Sequence, residues 1–526
     1  MTFTQWLIFI LIIQIIHGLG TWKLYKKAGT NAWEAFVPIY NAVILMKIIN
    51  RPWWWTILLF VPIVNLIMFP VVWVETARSF GKNTYQDTLL AIVSLGFYNF
   101  YLNYVADVSH IENRDLHPKS SSGDWVSSIL FAIVAATIVH TYFVQPFTIP
   151  SSSLEKSLLV GDFLFVSKVN YGARVPMTTV AMPMVHDTIP KLNVKSYLFN
   201  DHKDENETSW KNKLQLPYMR LPGFEDIERN DIVVFNQPAD TLLDMNNFNP
   251  DRNYYKPIDK KTNLVKRCVG VPGDSLQVKD GYVYINGKKN ELPERAQLQF
   301  SFDITFQGQI SSDEQVYRIL KRYDITDRIG FDPEKETYFV QATETNAAKA
   351  KDHPNIASIT KRITPPDLNQ NLFPRAPQYP WSYNNFGPIY IPEEGKTVKL
   401  NTEVLPLYRR IIEEYEHNDL KVNGNQITIN GKPADSYTFK QNYYWMMGDN
   451  RNNSIDARAW GYVPFDHVVG KPVLIWMSWD GLKNPRWERW FTTVSGSGKA
   501  TSFLIPFLIL IAVIFGYTKW RKRNKA

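Results

Sequence analysis

Apolar residues gather into long runs at the two ends of the chain and thin out into short alternating patches between them. The first run, residues 3–19, carries almost no charge, and Lys23, Lys26 and Lys27 follow it. It lacks the basic lead-in and small-x-small exit of a cleaved leader, so the pattern predicts a retained transmembrane helix. A second run covers 53–74 and contains Pro62 and Pro70, which membrane helices tolerate although they kink them. Runs at 89–105 and 125–144 predict two further crossings, the first of them interrupted by tyrosines and asparagines. Residues 36–49 are apolar but short and broken by polar positions, which reads as an interfacial segment. A last apolar run, 502–517, precedes Lys519, Arg521, Lys522, Arg523 and Lys525.

Between these ends the pattern shortens. Strands are predicted at 232–235, 275–279, 282–285 and 426–429, with Asn286-Gly287 and Asn430-Gly431 as turn signals directly after two of them. One helix is predicted over 402–416, with Leu405, Tyr408, Ile411, Ile412 and Tyr415 on a single face. A chain of 526 residues exceeds one ordinary core. The expected organisation is a multi-span membrane region over 1–124, an anchor over 125–144, a mostly β domain over 145–490 and a carboxy-terminal membrane helix over 502–519 with a basic tail. Residues 177–225 and 291–395, rich in charge and proline, read as irregular or peripheral insertions.

Charge gives this layout a direction. Lys23, Lys26, Lys27, Lys47 and Arg51 follow the first run, which puts that loop in the cytoplasm. Counting crossings forward from there, and backward from the basic tail, places residues 145 to about 500 on the outer side. The net charge of +8 is spread out or flanks apolar runs, so no nucleic-acid partner is expected. The single cysteine, Cys268, excludes an intramolecular disulfide and a cysteine-rich zinc site. The nine histidines show no HExxH spacing, and neither a metal nor another cofactor is expected.

Three stretches bear on chemistry. Ser151, Ser152 and Ser153 follow Pro150 just after the fourth apolar run; a serine run is ordinarily a turn, unless a base activates one hydroxyl. Lys266 lies among apolar neighbours in a strand-like run, where burial lowers a lysine pKa toward neutrality; a solvated lysine is the plainer reading. The third stretch, 447–458, offers a tight polar turn at Gly448, Asp449 and Asn450, then Ser454, Asp456 and Arg458 in alternation. It reads as a brace for the lysine or as a surface turn, and it lacks the ligand spacing of a calcium loop.

Taken together, these stretches resemble type I signal peptidases, membrane-bound serine proteases that remove signal peptides from exported proteins. The resemblance covers roughly 143–172, 228–288 and 443–480. Pro150 to Leu154 resembles the family's Pro-Ser-x-Ser-Met, Lys266 to Asp274 its Lys-Arg-x-x-Gly-x-Pro-Gly-Asp, and Gly448 to Arg458 its Gly-Asp-Asn-Arg box, with Ala457 in place of a serine. Leu154 stands where the family has methionine, a swap that conserves volume, and Glu155 and Lys156 depart from its usual apolar residue and proline.

The resemblance implies an antiparallel β catalytic domain and a Ser/Lys dyad. Ser153 would be the nucleophile, Lys266 the general base and Ser151 an oxyanion donor, with Ser152 a spacer. Ser454 would orient Lys266, supported by Asp456, Arg458, Gly448, Asp449 and Asn450. Phe147, Ile149, Pro150, Leu154, Leu158 and Val265 fall where the family lines apolar subsites for small side chains, typically alanine, one and three residues before the cleaved bond. Implied partners are the signal peptides of exported preproteins, the lipid bilayer and the secretion translocon. The implied location is the bacterial cytoplasmic membrane with the catalytic domain outside. The rival from another class is a catalytically inactive, membrane-tethered binding or assembly factor with a peptidase-like fold. A self-cleaving repressor-type Ser/Lys peptidase would be soluble and carry a DNA-binding domain, and this chain shows neither property.

Overall fold

The computed structural model describes residues 1–117, 120–202, 205, 206, 208–238, 242–244, 247, 248, 255–308, 312–366, 372–481, 483–496 and 498–523. The chain forms two compact units. One comprises Met1–Phe143, Ala173–Leu221 and Asp240–Lys261; the other comprises Val144–Gly172, Pro222–Ala239 and Thr262–Ala526.

The first unit is mainly helical. Its opening helix, Phe3–Lys27, starts from a capping box at Thr2 and Gln5 and ends with Lys26 and Lys27 in the last turn, where cations suit the helix dipole. The second predicted run does not form one helix. It divides into Trp55–Leu58 and Asn65–Ser79, because Pro62 lacks an N–H and disfavours helix at Val61 before it. Ile63 there takes a positive φ of 69°. The third run divides as well, into Tyr85–Val93 and Tyr98–Tyr104. Gly96 between them has φ of 85°, and a Cβ there would lie 2.6 Å from the Trp73 ring, so the turn requires glycine. The expected interfacial segment is the helix Tyr40–Ile48, whose Leu45, Met46 and Ile48 are buried in the unit's core. Among the described residues, three helical stretches are long and apolar enough to cross a membrane: Phe3–Lys27, Ser121–Phe143 and Leu504–Arg521. Residues 177–225 hold a small hairpin, Thr188–Ile189 with Val194–Lys195, and the single turn Trp210–Lys213.

The second unit is mostly β. Its main antiparallel sheet runs Val144–Thr148, Asp162–Ser167, Val468–Asp480, Ile232–Asn236, Asn263–Gly270, Tyr443–Met447 and Val463–Pro464. The two central strands are buried along nearly their whole length, as continuous apolar runs such as Ile232–Phe235 require. A second sheet joins Tyr282–Ile285, Ser275–Lys279 and Phe386–Tyr390, and its Leu276, Val278, Val283 and Ile389 enter the large core beneath the first. The predicted helix at 402–416 appears as Leu405–Arg410 continued by a wider turn, Ile411–Tyr415, with all five predicted face residues buried.

Residues 291–395 are not irregular as their composition suggested. They contain an antiparallel sheet ordered Asp327–Asp332, Thr337–Ala342, Phe300–Phe306 and Ile356–Lys361, with helices Asp313–Lys321 and Glu344–Ala350. Alternating Phe300, Phe302 and Ile304 meet Val316, Ile319 and Leu320 from one helix face in a separate apolar core. Charge on the outer faces of these elements masks the alternation.

Candidate active site

The serine stretch is a turn, but a tightly held one. Ser151 is extended and exposed, and Ser152–Leu154 forms one 3-10 turn. Lys156 leaves it with φ of 69° and pairs with Asp324 at 2.7 Å. Asn450 clamps the turn from across the fold: its backbone N–H donates to Ser153 O at 3.1 Å, and its side-chain amide donates to Ser152 O at 3.1 Å and Asp327 at 2.6 Å. Asn453 Nδ2 donates to Ser152 Oγ at 2.9 Å, so the expected spacer also anchors the turn.

Lys266 sits on the central strand Asn263–Gly270, opposite Val233, and is only 5% exposed. Its Nζ lies 2.7 Å from Ser153 Oγ. Among the described residues no carboxylate stands within ion-pair distance of it. Burial therefore dominates and pulls its pKa down to about 8, although Asp456 and Asp449 push it up and Arg458 assists burial.

The loop that faces this pair is built on two buried ion pairs. Arg458 binds Asp456 through Nε at 2.9 Å and Nη2 at 2.7 Å, and Asp456 also accepts the Gly448 N–H at 3.1 Å. Arg267, next to the lysine, forks onto Asp449 at 2.8 and 2.6 Å. Ser157 Oγ donates to the same carboxylate at 2.6 Å. Burial alone would raise the Asp449 pKa, but the Arg267 guanidinium overrides it and holds it below the usual carboxylate range. Gly448 is required by close approach: a Cβ there would lie 2.3 Å from Ser454 Oγ and 2.5 Å from Ser153 O.

Ser454 is the expected member that the structure leaves unbonded. Its hydroxyl is buried beside Gly448 with no hydrogen-bond partner among the described residues, and it makes no bond to Lys266. Ile149, Leu154 and Leu158 lie in one apolar cluster, with Phe147 and Val265 packed against it. Of these five, only Phe147 and Val265 retain partial exposure, while Pro150 is exposed outside the cluster.

Sequence reasoning missed Arg267, Ser157, Asn453 and Asp327. Arg267 had a signal: a second cation on a strand of otherwise apolar residues must find a carboxylate if that strand is central. For Asp327 the sequence carried none, since it belongs to a sheet that its composition concealed.

An antiparallel β domain that brings a serine hydroxyl onto a buried lysine, in a chain whose described residues include three membrane-length apolar helices, defines a class of membrane-associated peptidase-like proteins. Residues 122–341 and 391–479 match the family described as "Signal peptidase, peptidase S26", and the chain belongs to that family of peptidases. The matched segments contain every site residue above. Residues 33–113 match a separate "Family of unknown function (DUF5684)". A Signal peptidase I of Haemophilus influenzae is 24% identical over 394 residues, covering 74% of this chain and 80% of its own length. That of Buchnera aphidicola from Acyrthosiphon pisum is 23% identical over 407 residues, covering 74% of this chain and 90% of its own. That of Pseudomonas aeruginosa is 22% identical over 366 residues, covering 68% and 71%.

Proposed function

We propose that this chain is a signal peptidase I that cuts amino-terminal signal peptides from exported preproteins after small residues of the Ala-x-Ala type. The observation that carries this reading is the 2.7 Å contact between Ser153 Oγ and Lys266 Nζ, with the lysine buried and, among the described residues, free of a carboxylate partner. A neutral Lys266 takes the hydroxyl proton as Ser153 Oγ attacks the scissile carbonyl carbon. The C–N bond then breaks, and the proton passes from Nζ to the leaving amine. Lys266 next deprotonates a water that attacks the acyl-serine ester and frees the new carboxylate.

Ser151 and the backbone N–H of Ser153 supply the donors for the oxyanion, whose charge develops only in the transition state. The unpartnered hydroxyl of Ser454 is the acceptor for Nζ when Lys266 becomes charged. Gly448, Asp449, Asn450, Asp456 and Arg458 hold the loop. Phe147, Val265 and Pro150 line the shallow subsites, and Ile149, Leu154 and Leu158 back them from the core.

The sidedness read from the charges supports action outside the bacterial cytoplasmic membrane. Removing the two broken runs from the count subtracts an even number of crossings, so the domain after residue 144 stays on the same side. Partners of this reading are the lipid bilayer, exported preproteins and the secretion translocon that delivers them.

Purified full chain in detergent, incubated with a preprotein bearing an Ala-x-Ala site, tests the reading. Wild type cleaves, and Ser153→Ala lowers the rate by at least about 10³-fold. No cleavage by wild type would favour the inactive binding factor, and undiminished cleavage by Ser153→Ala would remove Ser153 as the nucleophile.

A further inference from the structure

Besides Lys266, five charged groups are buried around the loop that holds Ser153: Arg267, Arg451 and Arg458, with Asp449 and Asp456. The two carboxylates are each taken by a forked arginine, Asp449 by Arg267 and Asp456 by Arg458. That leaves Arg451. It is 1% exposed, and among the described residues no carboxylate lies within ion-pair distance of it. Its Nε is buried without a hydrogen-bond partner, and Nη1 reaches only the weak acceptor Met447 Sδ at 3.4 Å. An arginine cannot shed this charge by deprotonating near neutral pH, and Asp449 and Asp456, each already forked by another arginine, act on it only from beyond ion-pair distance.

The same side chain lines a cavity of about 210 Å³. Lys289 and Asn290 share the lining, and Val283, Leu292 and Leu298 supply an apolar wall. Lys289 is held there by its ammonium lying 3.7 Å from the centre of the Tyr282 ring. Water satisfies donors but brings no neutralising charge. A cavity whose lining holds two cations and three aliphatic side chains matches an anion with a short hydrocarbon tail.

We propose that this cavity is a binding site for a small aliphatic carboxylate, its oxygens on Arg451 and Lys289 and its tail against Val283, Leu292 and Leu298. Arg451 directly follows Asn450, the residue that clamps Ser152 and Ser153. Occupancy therefore firms the loop behind the serine turn without touching the reacting atoms.

Thermal unfolding and calorimetric titration of the full chain in detergent test this with three probes: butyrate, the uncharged analogue butanol, and an acetylated tripeptide ending in a free leucine carboxylate. Butyrate or the peptide should give a saturable rise in melting temperature that butanol does not. A rise with butyrate alone assigns a free acid, and a rise with the peptide alone assigns a chain terminus. Arg451→Met should abolish the rise, and Lys289→Met should weaken binding about tenfold. Should Arg451→Met fail to fold, the exposed Lys289 still decides the matter. The proposal is overturned by no saturable shift in wild type, by an equal shift with butanol, or by unchanged affinity in Lys289→Met.

Discussion

Lys266→Met is expected to abolish cleavage and at the same time to stabilise the fold at pH 7. The lysine is buried beside Ser153 with no ion-pair partner among the described residues, and its pKa falls from 10.5 to about 8. Between those values the unfolded chain holds more protons than the folded one, so stability rises with pH across that window. Below about 8 the folded protein carries the whole penalty of burying the ammonium, which at 1.36 kcal/mol per pH unit amounts to about 3 kcal/mol. Methionine has a similar length and no charge, so the variant should recover most of that amount at neutral pH, with little gain above pH 10.5. Urea denaturation at pH 7 and at the alkaline end checks the stability, and preprotein cleavage checks the activity. A variant that is destabilised at pH 7, or that still cleaves, would contradict this role for the buried amine.

Arg267→Met should have the opposite effect on stability. Arg267 is as buried as its neighbour, but its guanidinium forks onto Asp449 and also donates to Asn230 O at 2.8 Å. Removing it strands a buried carboxylate whose remaining side-chain donor is Ser157. Breaking one side of such a pair costs about 3–5 kcal/mol. Arg409 pairs with Glu413 at 3.2 Å, but both side chains are open to solvent, 58% and 33% exposed, and Arg409→Met should cost no more than about 1 kcal/mol. Matched denaturation curves for the two variants decide it: equal losses would mean that burial does not govern these pairs. Activity in Arg267→Met should fall along with stability, since Asp449 adjoins the Asn450 that holds Ser153 O.

The contrast between Lys266 and Arg267 shows what sequence could and could not reveal. Both stand in one predicted strand-like run, and the chemistry-bearing stretches were legible because each is contiguous. The pairing of Arg267 with Asp449 spans 182 positions and was invisible, as was the clamp of Asn450 on Ser152. Strands at 232–235, 275–279, 282–285 and 426–429 were legible because alternation or a continuous apolar run was bounded by turn residues. The apolar runs at 53–74 and 89–105 misled because hydropathy averages over the turns at Ile63 and Gly96, where the backbone reverses its handedness. The sheet within 291–395 was hidden for the converse reason: its Phe300, Phe302 and Ile304 alternate correctly, but charged outer faces and prolines dominate the composition. Ser454 was legible as a polar group near the lysine, and its unbonded hydroxyl was not.

The pH dependence of kcat/KM tests the Ser153–Lys266 dyad most directly, because it reads the protonation state of the free enzyme's base. With a preprotein substrate whose own groups do not titrate in the range, kcat/KM should rise tenfold per pH unit and level off above an apparent pKa near 8. A profile that is flat from pH 6 to 10, or one that turns near the 10.4 of a solvated lysine, would contradict a buried neutral amine as the base.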